Sequence, residues 1–252
     1  TGTRMGFLKR FFHNVFREEY AGQGVNVFEK LDEHEVEAHL DVSRYENFLL
    51  TDAVRPSFDL QVVPREGYRR DLYRDEESRG AVPVLLAAVS RENLFDVFME
   101  LLDPLGDEVD AVLETSHRNH GSGHEDLYRE QMDLPVLKST LWDYEDLLLN
   151  DGFTGIAALN PNIPREVQFD EHKLLIMYAD DLAPFEAVLK KYGLVRDDRM
   201  KFITEGEHVH SSTDDFQDRF QELQMRLGMD GSDCFNEGYD EGYGENYDEN
   251  FI

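Results

Sequence analysis

One pattern constrains this chain more than any other, because part of it occurs twice. Tyr45-Glu46-Asn47-Phe48-Leu49-Leu50-Thr51-Asp52 is answered 99 residues later by Tyr144-Glu145-Asp146-Leu147-Leu148-Leu149-Asn150-Asp151. Five of the eight positions are identical and the apolar pattern is kept. Val63-Pro64-Arg65-Glu66 recurs as Ile163-Pro164-Arg165-Glu166, at an offset of 100. A third match runs at an offset of 90. Val84 to Val89, then Phe95, Val97 and Phe98, answer to Leu174 to Ala179, then Phe185, Ala187 and Val188. Asp107-Glu108 answers to Asp197-Asp198 and His120 to His210. Collinear matches of this kind are the signature of an internal duplication, with each copy one supersecondary unit. The ten extra residues of the first copy fall in Gly67 to Gly80, a charged stretch that reads as a loop.

Each copy reads in the same order. Glu35 to Val42 alternates apolar and polar, the period of a half-buried strand. Ser43 precedes a helix over Arg44 to Thr51, with Glu46 placed as in a capping box. A strand over Phe58 to Val63 and a continuous apolar strand over Pro83 to Val89 follow. A helix over Arg91 to Leu102 stops at Pro104 and Gly106, and Val109 to Leu113 is the last strand. In the second copy the corresponding strands are Leu134 to Lys138, Phe153 to Leu159, Val167 to Tyr178 and Lys201 to Thr204, with helices over Leu141 to Asn150 and Leu182 to Tyr192. The order β-α-β-β-α-β is that of a split βαβ unit, the ferredoxin-like arrangement. The expected fold is therefore α+β, with two tandem ferredoxin-like units, residues 33–117 and 134–210, forming a pseudo-dimer. A single doubly-wound sheet is the alternative, but it would show strict strand–helix alternation.

The ends have their own character. Residues 1–22 hold an amphipathic helix with Leu8, Phe11, Phe12, Val15 and Phe16 on one face and Lys9, Arg10 and Arg17 as its cations. It could meet a membrane surface or a partner, or pack on the chain's own acidic body. Met5 reads as the natural start. A further helix occupies residues 212–228, capped by Ser212 or Thr213. Residues 230–252 carry eight acidic side chains, no Lys or Arg, and an aromatic residue every four positions. Such a composition reads as a disordered acidic tail.

Composition then limits the function classes. The formal net charge of −29 sets up a field that repels nucleic-acid phosphates and suits a basic protein partner or bound cations. The lone cysteine, Cys234, excludes an intrachain disulfide and fits a reducing, cytoplasmic compartment. No apolar run reaches the length of a transmembrane segment, and no signal-peptide pattern is seen.

Chemistry concentrates in the linker at residues 118–133 and its approaches. His117, His120 and His124 stand beside Glu125 and Asp126. The second copy carries Glu205, Glu207, His208 and His210 at the equivalent place. Imidazole and carboxylate are the ligands of divalent metals such as zinc, so His117, His120, His124, His208 and His210 are the candidate metal ligands. The spacing H-x2-H-x3-H matches no established motif, and no phosphate loop, dinucleotide fingerprint or nucleophile elbow is found. No catalytic residue is assigned, and no cofactor is expected beyond that divalent metal. The leading expectation is a non-enzymatic binding or regulatory module for a protein or small ligand, an inhibitor-type protein being one concrete form. A metal-dependent enzyme using the histidine loops of both repeats is the alternative. A structural or assembly component acting through its ends is the third.

Overall fold

A computed structural model describes residues 33–74, 81–117 and 125–229. In chain order the elements are helix α1 (Glu33–Leu40), strands β1 (Arg44–Tyr45), β2 (Phe48–Leu49), β3 (Val54–Pro56), β4 (Gly67–Arg74) and β5 (Ala81–Ala88), helix α2 (Arg91–Leu101), and strands β6 (Glu108–Thr115) and β7 (Glu125–Asp133). Helices α3 (Leu134–Trp142) and α4 (Glu145–Asn150) come next, then β8 (Thr154–Leu159), β9 (Arg165–Phe169), β10 (Leu175–Ala179), α5 (Ala183–Lys191), β11 (His208–His210) and α6 (Asp214–Arg226). Short 3₁₀ turns occupy Asp103–Leu105 and Ile203–Glu205.

Seven strands form one antiparallel sheet in the order β4-β5-β10-β9-β8-β6-β7. The fold is thus α+β, with six α-helices among the described residues. The tandem ferredoxin-like pseudo-dimer is not confirmed, since strands from both halves of the chain enter a single sheet. Val84 to Ala88 and Leu175 to Ala179 lie on β5 and β10, which are antiparallel neighbours with Leu175 opposite Ala87 and Tyr178 opposite Val84. The helices that follow them, α2 and α5, pack together.

Alternation along these strands makes two different faces. Leu85, Ala87, Ala111, Leu113, Ile156, Val167, Phe169, Leu175 and Met177 point to one face and form the main core. Helices α2 to α6 cover it, and α2 alone buries Leu94, Phe95, Val97, Phe98, Met99 and Leu101. At about 1.5–3 kcal/mol for each large apolar side chain removed from water, this helix is a major contributor to stability. The other face carries a smaller cluster, in which Val84, Leu174, Ile176 and Tyr178 meet Phe48, Leu50, Met200 and Phe202.

Several elements differ from the sequence expectation, each for a local reason. Residues 35–42 form not a strand but the rest of α1, which ends at Leu40, and the turn after it. Val36, His39 and Leu40 share one face at helical spacing, and of these His39 is buried. Residues 44–51 form the β1–β2 hairpin rather than a helix, with Glu46 at the turn in left-handed backbone (φ 51°). Phe58 to Val63 is a turn, in which the Ser57 hydroxyl accepts the Gln61 N–H and Leu60 is left-handed (φ 49°). The first part of the charged stretch, Gly67–Arg74, is the edge strand β4, with Arg70 and Asp71 exposed and Arg69 lying over the Phe202 ring and donating to Met200 O and Glu205. Leu134 to Lys138 begins α3, with Pro135 in its first turn. The segment 167–178 is a hairpin of two strands, turning at Asp170 to Leu174. Lys201 to Thr204 enters a 3₁₀ turn, and the strand comes later, at β11. The expected N-terminal helix and acidic tail lie outside the described residues.

The second face also buries carboxyls. Glu166 is 1% exposed, its Oε1 accepts the Gln168 amide, and its Oε2 has no partner among the described residues. Burial raises its pKa to about 8, because no cation compensates the lost hydration. Glu114 is raised as well, by burial and then by the nearby Asp126. Its carboxylate lies across Gly155, where a Cβ would meet Oε2 at 3.1 Å. Between pH 4.5 and about 8, folded Glu166 keeps a proton that the unfolded chain releases. The stability it contributes is complete below pH 4.5 and is lost as pH rises through about 8. Glu166→Gln should therefore match the parent near pH 5 and exceed it at pH 8 by on the order of 4 kcal/mol in urea unfolding. Identical pH profiles for the two proteins would show that the carboxyl is not buried as described.

Candidate metal centre

Strand β11 is short, and two of its three residues are histidines. Period two puts His208 and His210 on the same side, with Val209 between them. The strand is held against β3, with His208 opposite Pro56 and His210 opposite Val54. It is pinned at its end where Ser211 N–H donates to Ala53 O and Gly152 N–H donates to Ser211 O. The third histidine comes from the opposite direction. His172 sits in the β9–β10 turn, beside Lys173, whose backbone is left-handed (φ 64°). That conformation is costly for a non-glycine residue and is held in place by its side chain. Lys173 Nζ donates to Thr154 O at 2.9 Å and lies 5.4 Å from the centre of the Phe169 ring.

His172, His208 and His210 converge so that one ligand atom from each lies within 4.8 Å of the other two. Their ring centroids are 4.7 to 5.1 Å apart. Every one of these rings has its Nδ1 engaged. His172 Nδ1 is 2.9 Å from Asp170 Oδ2, His208 Nδ1 is 2.8 Å from Gly206 O, and His210 Nδ1 is 2.7 Å from Gly152 O. A carbonyl oxygen only accepts, so the protons of His208 and His210 sit on Nδ1, and Asp170 holds His172 in the same tautomer. A neutral ring in this tautomer keeps its lone pair on Nε2. Metal-binding histidines characteristically donate their second nitrogen to a carboxylate or carbonyl in this way. Nitrogens bonded at about 2.0–2.1 Å to a tetrahedral zinc stand roughly 3.3 Å apart, closer than the 4.8 Å within which these atoms lie.

Electrostatics set the three rings apart. Burial, reinforced by the neighbouring His172, holds His208 below the usual imidazole range and His210 down at about 3. Burial acts on His172 in the same direction, but the Asp170 carboxylate outweighs it and His172 ends above its usual value. Two of the three rings are thus neutral at pH 7, as ligation requires.

The ground beneath the trio is the loop Asp151–Thr154. Asp151, fully buried, binds His117 Nε2 at 2.7 Å and the Thr154 hydroxyl at 2.5 Å. Burial pushes the Asp151 carboxyl up, and the bonds from His117 and Thr154 outweigh it, holding it below its usual value. Gly152 leaves no room for a side chain, since a Cβ there would sit 2.4 Å from Ala53 O and 2.8 Å from Ser211 O.

Of the five histidines singled out from sequence, the structure brings two, His208 and His210, into the set. His117 is committed to Asp151 and is no part of it. Its place at the end of β6 turns it toward the Phe153 and Phe220 rings. His120 and His124 lie outside the described residues. His172 and its orienting Asp170 went unassigned because residues 167–178 read as one strand. The polar run Asp170-Glu171-His172-Lys173 inside that apolar stretch was the signal for a turn.

Two substitutions separate support from ligation. Asp170→Asn should weaken zinc binding by about 10–100-fold in competition titrations while the fold persists. Gly152→Ala should destabilise the whole protein by several kcal/mol, because backbone rather than a flexible side chain must give way. Unchanged zinc affinity in Asp170→Asn would remove the carboxylate from the centre.

Comparison with protein-family models, with curated proteins and with solved structures finds no match.

Proposed function

We propose that this protein is a metal-dependent enzyme whose single divalent ion, zinc by its donor set, is held on Nε2 of His172, His208 and His210. The observation that carries the reading is that one ring nitrogen from each of the three histidines lies within 4.8 Å of the other two, while Asp170, Gly206 and Gly152 engage all three Nδ1 atoms. Three protein ligands leave a tetrahedral ion one position for water, the plan of catalytic rather than structural zinc sites. The three residues are partly rather than fully buried, with 14% of the His172 side chain exposed.

An ion in this place would lower the pKa of its bound water toward 7 and present hydroxide to an electrophilic carbon or phosphorus. The chain's own residues supply orientation. Asp170 and the two carbonyls fix the rings, and the Asp151 loop fixes one of those carbonyls. A protein-binding module, expected from net charge alone, names no residue that would make the contact, whereas the imidazole set names three. The acidic surface remains compatible with a basic partner at another place.

The decisive measurement is metal titration of chelator-treated protein by calorimetry, with cobalt as a visible probe. One equivalent of zinc, tetrahedral cobalt bands and a higher melting temperature with metal are expected. His210→Ala and His172→Ala should each lose the bands while keeping the parent's far-ultraviolet circular dichroism. Zinc-loaded protein, but not these variants, should hydrolyse an activated ester such as 4-nitrophenyl acetate. Sub-stoichiometric zinc, or alanine variants that bind as tightly as the parent, would refute the site.

A further inference from the structure

His117, one of the expected ligands, stands behind the centre instead of in it, and its path to His210 runs through one peptide group. That group joins Gly152 to Phe153. Its C=O accepts the Nδ1 proton of His210 at 2.7 Å, and its N–H donates to Asp151 Oδ1 at 3.3 Å. A peptide unit is planar, so a bond at its N–H end sets the direction of its carbonyl. The Asp151 carboxylate therefore aims the oxygen that orients His210. The carboxylate is held in turn through its second oxygen, which accepts His117 Nε2–H at 2.7 Å and the Thr154 hydroxyl.

Both members of this pair are out of water. The Asp151 side chain is 0% exposed and that of His117 6%, so solvent cannot readily replace a lost partner. A second route joins the same residues. The His117 ring meets Phe153 edge-on at 5.5 Å, and Phe153 stacks on His210 at 6.5 Å with 23° between the planes. His172 has its orienting carboxylate in direct contact, at Asp170. For His210 the carboxylate acts one peptide removed, with an imidazole behind it.

We infer that Asp151 and His117 are positioning residues for the proposed metal ion, holding the Gly152–Phe153 peptide so that His210 keeps its proton on Nδ1 and offers Nε2 to the ion. Neither residue is a ligand, and His117 acts on His210 through Asp151 and Phe153. Groups of this kind, behind the ligands, fix the tautomer and direction of a metal-binding imidazole. The inference rests on the metal reading for its purpose, but the hydrogen-bonded chain from His117 to His210 exists without an ion.

The test compares His117→Gln with His117→Phe in the full chain. Glutamine offers an N–H at a similar reach to Nε2, whereas phenylalanine fills the ring's place without a donor. His117→Phe should weaken zinc about tenfold in competition titrations and shift the visible bands of the cobalt form, while His117→Gln stays within about threefold of the parent. Nitrogen-15 correlation spectra of the metal-free parent should show His117 protonated on Nε2 and His210 on Nδ1, and His117→Phe should turn His210 into a mixture of tautomers. A bare Nε2 on His117 or a bare Nδ1 on His210 in the parent would overturn the inference whether or not a variant folds. Equal losses in the two variants would also overturn it, since packing alone would then account for them. So would a His117→Phe protein with the parent's zinc affinity and a single His210 tautomer. If the parent takes up no metal while the His210 tautomer still follows residue 117, the metal reading falls and the positioning stands.

Discussion

Everything in this molecule hangs on the pairing of β5 with β10. These strands come from opposite halves of the chain, and their backbone hydrogen bonds turn two hairpins, β4–β5 and β9–β10, into one sheet. Both are apolar on both faces, so they can only exist in the middle of a layered structure. On one side they meet α2 and α5, which pack on each other, and on the other side Phe48, Met200 and Phe202. The pairing also fixes where the β9–β10 turn emerges, and so where His172 stands.

The candidate centre shows how little regular structure a site needs once a sheet holds its surroundings. Two ligands ride on a three-residue strand and the third on a turn. What orients them is backbone, in the form of Gly206 and Gly152 carbonyls, together with one carboxylate. The strained backbone at Lys173 and the crowding at Gly152 mark the same small region. Deviations from relaxed geometry collect where placement of side chains matters.

The sequence made the long, strongly patterned elements legible. The apolar run of β5, the amphipathic repeats of α2, α5 and α6, and the stop at Gly193 all lie where the residues put them. It misled at short elements, where period two and period 3.6 cannot be told apart over eight residues, as in Glu35 to Val42. It misled again where a turn is made by ordinary residues in left-handed backbone, as at Glu46 and Lys173, with no glycine to announce it. The candidate ligands were half legible. His208-Val209-His210 stands out in any reading, but its partner lies 36 positions away in a turn taken for strand. Spatial convergence of that kind is written in the register of β9 and β10 and in no local motif.

The small β3–β11 sheet is held by few backbone bonds, and one of its strands carries two of the three ligand rings. An ion bridging those rings to His172 would fasten this outlying piece to the large sheet much as a disulfide would, by closing a loop that the unfolded chain must otherwise close at an entropic cost. Occupancy of the centre would then govern whether residues 203–213 and the segment around Ala53 open as a unit or stay shut. Local order in that corner of the protein would then be a readout of metal supply.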